Sequence, residues 1–149
     1  MVIRGARQVG KTTAIHAFAK EFDQYLYFNL ELAEDKELFQ GFRDIDTLLQ
    51  GLFFLKNKKL DKLNQTLLFI DEIQEMPEAM NILRYFYEQV PELAVVAAGS
   101  LLEILFNPKA NFPVGRVEYR IIRPVSFPEF LEAIGEEGAL HQLQQVPIN

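Results

Sequence analysis

The sequence predicts a three-layer α/β domain built on a mainly parallel five-stranded sheet. Short apolar runs alternate with segments of helical periodicity, and the runs are apolar at consecutive positions, as in strands covered on both faces. A glycine-rich turn also joins the first run to the first helical segment. At 149 residues the chain has the length of one domain, and 49% hydrophobic with 24% charged residues is the composition of a core-forming protein rather than a disordered one.

The first strand is the short run Met1-Val2-Ile3. Ala14, Ile15, Phe18, Ala19 and Phe22 recur at helical spacing, so a helix is expected from Lys11 to about Phe22, packed on the sheet. His16 on that helix reads as a partly buried packing residue. Tyr25 to Asn29 reads as a buried strand, and the polar stretch Glu31 to Asp44 as a loop with a short helix. Its run Glu34-Asp35-Lys36-Glu37 reads as a solvated face without chemistry. Ile45, Leu48, Leu49, Leu52 and Phe53 form the next helical stripe. Lys56, Lys58, Lys59 and Lys62 follow near its end, where cations suit the negative end of the helix dipole; the alternative is a nucleic-acid patch.

Thr66 to Ile70 is a strand ending in Asp71. Pro77 and the apolar positions Ala79, Ile82, Leu83, Phe86 and Val90 mark a helix, and Leu93 to Ala98 a further buried strand. A short helix is expected from Leu101 to Phe106. Val117, Tyr119 and Ile121 alternate with Glu118 and Arg120 as a fifth strand, and Ser126-Phe127-Pro128-Glu129 is a capping box opening a last helix.

The turn after the first strand carries the chemistry. Gly5-Ala6-Arg7-Gln8-Val9-Gly10-Lys11-Thr12 meets the pattern G-x-x-x-x-G-K-[ST] at every defined position. Its glycines let the backbone curl so that successive N–H groups face phosphates, which the following helix N-terminus also attracts. Lys11 is expected to reach the β- and γ-phosphates and the Thr12 hydroxyl to hold Mg²⁺. Arg7 either contacts phosphate or faces solvent. Nucleotide binding is therefore expected along Gly5, Ala6, Arg7, Gln8, Val9, Gly10, Lys11, Thr12 and Thr13.

An aspartate at the carboxyl end of a buried strand can hold the Mg²⁺ shell, which gives Asp71 its role as second metal residue beside Thr12. The adjacent Glu72 is placed to polarise a water for attack on the γ-phosphate, so the pair favours hydrolysis over transfer to a small molecule. Guanine reading needs Asn-Lys-x-Asp after a strand. Asn57-Lys58-Lys59-Leu60-Asp61 misses it by one residue in the wrong context, which favours ATP. Ser100 is placed either to contact the γ-phosphate or to serve as a turn or helix N-cap. Arg116 is either an arginine finger or sensor, in its own or a neighbouring subunit, or a surface ion-pair residue.

Composition excludes several other chemistries. The chain has no cysteine, so disulfides, thiolate metal sites and thiol nucleophiles are ruled out, and His16 and His141 are too few and too far apart for zinc. A net charge of −6 gives no general attraction to nucleic acid, so only a local patch could supply that partner. The longest apolar stretch, Leu93 to Phe106, is broken by Gly99, Ser100 and Glu103, and the N-terminus lacks a signal-peptide pattern, so a cytoplasmic protein without a membrane partner is expected.

Taken together, Gly5 to Thr13, Leu68-Phe69-Ile70-Asp71-Glu72-Ile73-Gln74, Ala98-Gly99-Ser100, Gly115-Arg116-Val117 and Pro124-Val125-Ser126-Phe127-Pro128-Glu129-Phe130 resemble the AAA-like P-loop ATPases of bacteria and archaea that carry a C-terminal domain of unknown function. The resemblance implies an AAA+ and ASCE-like fold in which the Ser100 strand lies between the loop strand and the Asp71 strand, bringing Ser100 near the γ-phosphate. It also implies that Arg116 belongs to the nucleotide machinery, and a homo-oligomer or an attached C-terminal domain as partner. Members of that family usually have a segment before the loop strand that helps hold the base, where only Met1 to Arg4 precede Gly5 here. They also continue past the point matching Asn149 into a small helical region and a domain that looks nuclease-related in some members. The chain is accordingly expected to be the nucleotide-binding core of a longer protein or a truncated gene product. The expected activity is Mg²⁺-dependent ATP hydrolysis; the alternatives are an ATP-binding switch with little turnover and, less favoured, a nucleic-acid-handling module.

Overall fold

A computed structural model describes residues 1–41, 43–100 and 117–145. In chain order the elements are β1 (Val2–Gly5), α1 (Lys11–Phe18), β2 (Gln24–Asn29), α2 (Ala33–Gln40), α3 (Ile45–Leu55), β3 (Thr66–Asp71), α4 (Ala79–Gln89), β4 (Ala94–Ser100), β5 (Tyr119–Ile121), α5 (Phe127–Ala133) and α6 (Glu137–Gln145). The five strands form one sheet in the order β2-β3-β4-β1-β5, and every neighbouring pair is parallel. This is the expected α/β fold, with β4 between β1 and β3.

Alternation along the central strands divides the core in two. Leu26, Phe28, Leu68 and Ile70 point to one face, where α3 and α4 cover them with Leu48, Leu52, Phe53, Ile82 and Phe86. Leu67, Phe69, Val96 and Ala98 point to the other, where α1 contributes Ile15 and the 3-10 turn after it Ala19. Every residue of β3 is buried, which is why its sequence shows no polar alternation until Asp71. Side chains of this strand alternate faces, so Asp71 falls on the same side as Leu67 and Phe69, the side of α1.

Several elements differ in detail from expectation. The first helix stops at Phe18 and tightens into a 3-10 turn at Ala19–Glu21; Ile15 and Ala19 are buried, while Phe18 remains 45% exposed. Glu31 to Asp44 holds a full two-turn helix, α2, anchored by the buried Phe39. Asp35 within its acidic run is more than a solvated charge, because its carboxylate accepts the Asn29 backbone N–H at 2.8 Å. The expected last helix is two: Gly135, at φ 78°, separates α5 from α6. The capping box does form at its start, with the Glu129 carboxylate accepting the Ser126 N–H at 2.7 Å. Within the lysine cluster, Lys62 pairs with Asp23 at 3.4 Å and the Lys56 ammonium lies 4.4 Å from the Phe28 ring centroid, so both have local structural partners. Among the described residues no helix is long and apolar enough to cross a membrane.

Candidate nucleotide site

Parallel strands place all their carboxyl ends at one edge of the sheet, and a strand-order reversal there opens a crevice. In this chain the edge gathers Gly5 of β1, Asp71 of β3 and Ser100 of β4, with Gly5 directly opposite Ser100. A cleft of about 340 Å³ lies over it, lined by Arg7, Gln8, Gly10, Lys11, Thr12, Thr13, Glu31 and Glu72. Of two smaller cavities, one of about 230 Å³ between α2 and α3 carries a single acidic side chain, Glu37, and one of about 170 Å³ at the amino ends of β1 and β4, lined by Met1, Leu83, Phe86, Val90 and their neighbours, carries no acidic or basic side chain. The chemistry is concentrated in the first cleft.

The loop from Ala6 to Gly10 takes its shape from two left-handed residues, Gln8 at φ 62° and Gly10 at φ 88°, the latter standing at the N-cap of α1. Gly5 is required for a different reason. A Cβ built on it would run into the carbonyl oxygen of Ile122, because the chain leaving β5 bonds back to β1 through the Ile122 N–H and the Arg4 carbonyl at 2.8 Å. Gly5→Ala is therefore expected to force the β1–β5 edge apart and destabilise the fold by about 1–3 kcal/mol, the usual cost of overpacking, read as a lowered urea midpoint.

Lys11 is nearly buried, 7% exposed, and its ammonium donates to the carbonyls of Ala6 at 2.7 Å and Gly5 at 3.2 Å. The loop thus wraps its own cation. Next to it the Thr12 hydroxyl donates to Asp71 Oδ2 at 2.8 Å, joining the first turn of α1 to the end of β3. The other carboxylate oxygen of Asp71 accepts the Glu72 N–H at 3.0 Å. Burial pushes the Asp71 carboxyl above its ordinary range, while the Thr12 and Glu72 hydrogen bonds pull it back.

Two groups around Asp71 escaped the sequence reading. Tyr27 on β2 reaches Asp71 Oδ2 with its hydroxyl at 3.5 Å, and burial together with the neighbouring carboxylate pushes its phenol up to about 12, so it stays protonated as a donor. Its side chain belongs to the α1 face for the same alternation reason as Asp71. His16, expected to be partly buried, is exposed, but its ring does pack edge-on against Tyr25, Tyr27 and Phe69, and its Nδ1 lies 2.7 Å from the Tyr25 hydroxyl. The second group is Gln74: its Nε2 donates to Glu72 Oε2 at 2.5 Å and its Oε1 accepts the Ser100 N–H at 3.1 Å. Glu31, from the loop after β2, adds a second carboxylate to the cleft beside Glu72.

Of the residues singled out by sequence, Arg7, Gln8, Gly10, Lys11, Thr12, Thr13 and Glu72 line one cleft, with Asp71 bonded to Thr12 at its floor. Ser100 stands at the same edge of the sheet. Arg116 lies outside the described residues, as does the helix expected over Leu101 to Phe106.

The sheet order and this edge define a P-loop NTPase-like fold of the AAA type. A sequence model of the AAA domain family matches residues 1–131, and the chain belongs to that family. Membership suggests nucleotide-binding ATPase activity. No curated protein matches the chain with significance.

Proposed function

We propose that this domain hydrolyses ATP with Mg²⁺ as its metal. The observation that carries the reading is the 2.8 Å hydrogen bond from Thr12 to the buried Asp71 carboxylate, directly beneath a loop that already encloses Lys11. Thr12 and Asp71, a hydroxyl and a carboxylate set side by side, would supply oxygen ligands and leave room for phosphate oxygens and water, which suits Mg²⁺. When bound, the metal neutralises phosphate charge as it redistributes during transfer.

The chain's own groups do the remainder. Backbone N–H groups of Gly5 to Thr13 hold the phosphates, and Lys11 exchanges the carbonyls of Ala6 and Gly5 for phosphate oxygens. Glu72 orients a water in line with the γ-phosphorus and takes its proton, which passes to the released phosphate as the bond to ADP breaks. Ser100 and Arg116 are proposed to sense the γ-phosphate, and hydrolysis to drive movement of an attached C-terminal domain or a second subunit. Catalysis of this kind is positioning plus charge stabilisation.

The test is ATP binding and turnover by the purified chain with Mg²⁺ and with excess chelator. ATP at one hundred times its Kd should stabilise the fold by about 2.7 kcal/mol with Mg²⁺ present, and phosphate release should require the metal. Binding without release would assign a nucleotide switch instead, and an unchanged melting temperature at millimolar ATP would sink the nucleotide reading.

A further inference from the structure

We propose that Gln74 is a positioning residue that ties the Glu72 carboxylate to the end of β4, so that displacement at Ser100 is passed to the group that orients water. The proposal rests on the reading of Glu72 given above and deepens it. Glu72 leaves β3 in a left-handed conformation, φ 52° and ψ 45°, which turns the chain out of the strand direction. The 3-10 turn Ile73–Glu75 then carries Gln74 across toward the neighbouring strand, with Ile73 fully buried as its anchor and the Glu75 N–H bonded to the Glu72 carbonyl at 2.9 Å. From there one side-chain amide meets both elements.

The orientation of that amide is fixed by chemistry. A backbone N–H can only donate, so the Gln74 atom facing Ser100 at 3.1 Å must be its oxygen, and the nitrogen therefore faces Glu72. A primary amide holds its donor and acceptor in one rigid plane, so the donor's place near Glu72 follows the acceptor's place on β4. Ser100, the residue proposed above to sense the γ-phosphate, stands opposite Gly5, the first residue of the phosphate loop. The two carboxylates are held by separate sets of partners: Asp71 by Thr12, Tyr27 and the Glu72 N–H, Glu72 by Gln74. Glu72 can thus be moved without disturbing Asp71.

Two variants separate this role from simple packing. Gln74→Glu keeps an acceptor for the Ser100 N–H but replaces the donor to Glu72 with a second carboxylate, which repels Glu72 or shares a proton with it, and Gln74→Leu loses both contacts. With the full chain, both should lower kcat by about 10²-fold, the scale of a small misplacement of a reacting group, with ATP affinity within about twofold of the parent. Slow hydrogen exchange of the Ser100 amide should persist in Gln74→Glu and be lost in Gln74→Leu. Parental kcat in Gln74→Glu would overturn the proposal, since anchoring of β4 alone would then suffice; if Gln74→Leu fails to fold, this isosteric variant decides. An independent readout is the NMR resonance of the Gln74 side-chain amide, which must move in Glu72→Ala and refutes the contact if it does not, whether or not the chain turns ATP over. Parental turnover in Glu72→Gln would refute the role of Glu72 instead, leaving the amide resonance to judge the contact.

Discussion

Glu72→Gln is expected to lower ATP turnover by about 10²–10⁴-fold while leaving ATP binding close to that of the parent. The amide has the shape of the carboxylate and its oxygen can still accept from Gln74 Nε2, so the local hydrogen bond at the end of β3 is retained. What disappears is the anionic acceptor for the water proton. Neither Lys11 nor the Thr12–Asp71 pair depends on Glu72's side chain, which is why phosphate and metal affinity should stay. The measurement is a titration with a fluorescent ATP analogue beside steady-state phosphate release. A parallel fall in affinity and turnover would mean that Glu72 shapes the cleft instead of acting on water, and the hydrolytic role would pass to Glu31, the other carboxylate in the same wall.

The residues of this pair show what a sequence can and cannot convey. Lys11, Thr12 and Asp71 were legible because each is tied to a local pattern: fixed spacing in the loop, and a carboxylate ending an apolar run. Strand and helix alternation was legible for the same reason, since burial of β3 on both faces writes itself into consecutive apolar residues. The order of strands was not, because periodicity says nothing of which strand lies beside which; it came from resemblance to a family, and the parallel order β2-β3-β4-β1-β5 agrees with it. Tyr27 and Gln74 were hidden more deeply. Tyr27 is 44 positions from Asp71, and Ser100 is 26 from Gln74, so each contact exists only once the sheet has set its register. Asp35 reads as solvated in the sequence because its partner, a backbone N–H at the end of β2, leaves no mark in side-chain composition. The break at Gly135 has no sequence mark, because a single glycine inside a helical pattern gives no sign of its backbone angle.

Asp71→Asn should separate function from stability in opposite directions. Asp71 is 3% exposed, and a carboxylate taken from water is costly unless a partner charge or full hydrogen bonding repays it. Its partners are two hydroxyls and one N–H, while the nearest cation, Lys11, is held by the carbonyls of Gly5 and Ala6. Asparagine can accept the Glu72 N–H with its oxygen and donate its NH2 to the Thr12 and Tyr27 hydroxyls, which turn to accept, while the charge is removed, so the nucleotide-free variant is expected to gain about 1 kcal/mol, a rise of roughly 2–4 °C in Tm. The same change deletes the anionic metal ligand, so Mg²⁺ should no longer add to the stabilisation by ATP. Thr12→Val is the informative contrast: it leaves the charge buried and strips away a donor, so it should lower Tm while also weakening the Mg²⁺ response. Thermal melts of the parent and both variants, with and without Mg²⁺ and ATP, decide the matter. If Asp71→Asn melts lower than the parent without nucleotide, the carboxylate holds α1 to β3 as a structural link, and the case for a charge kept there at the expense of stability is lost.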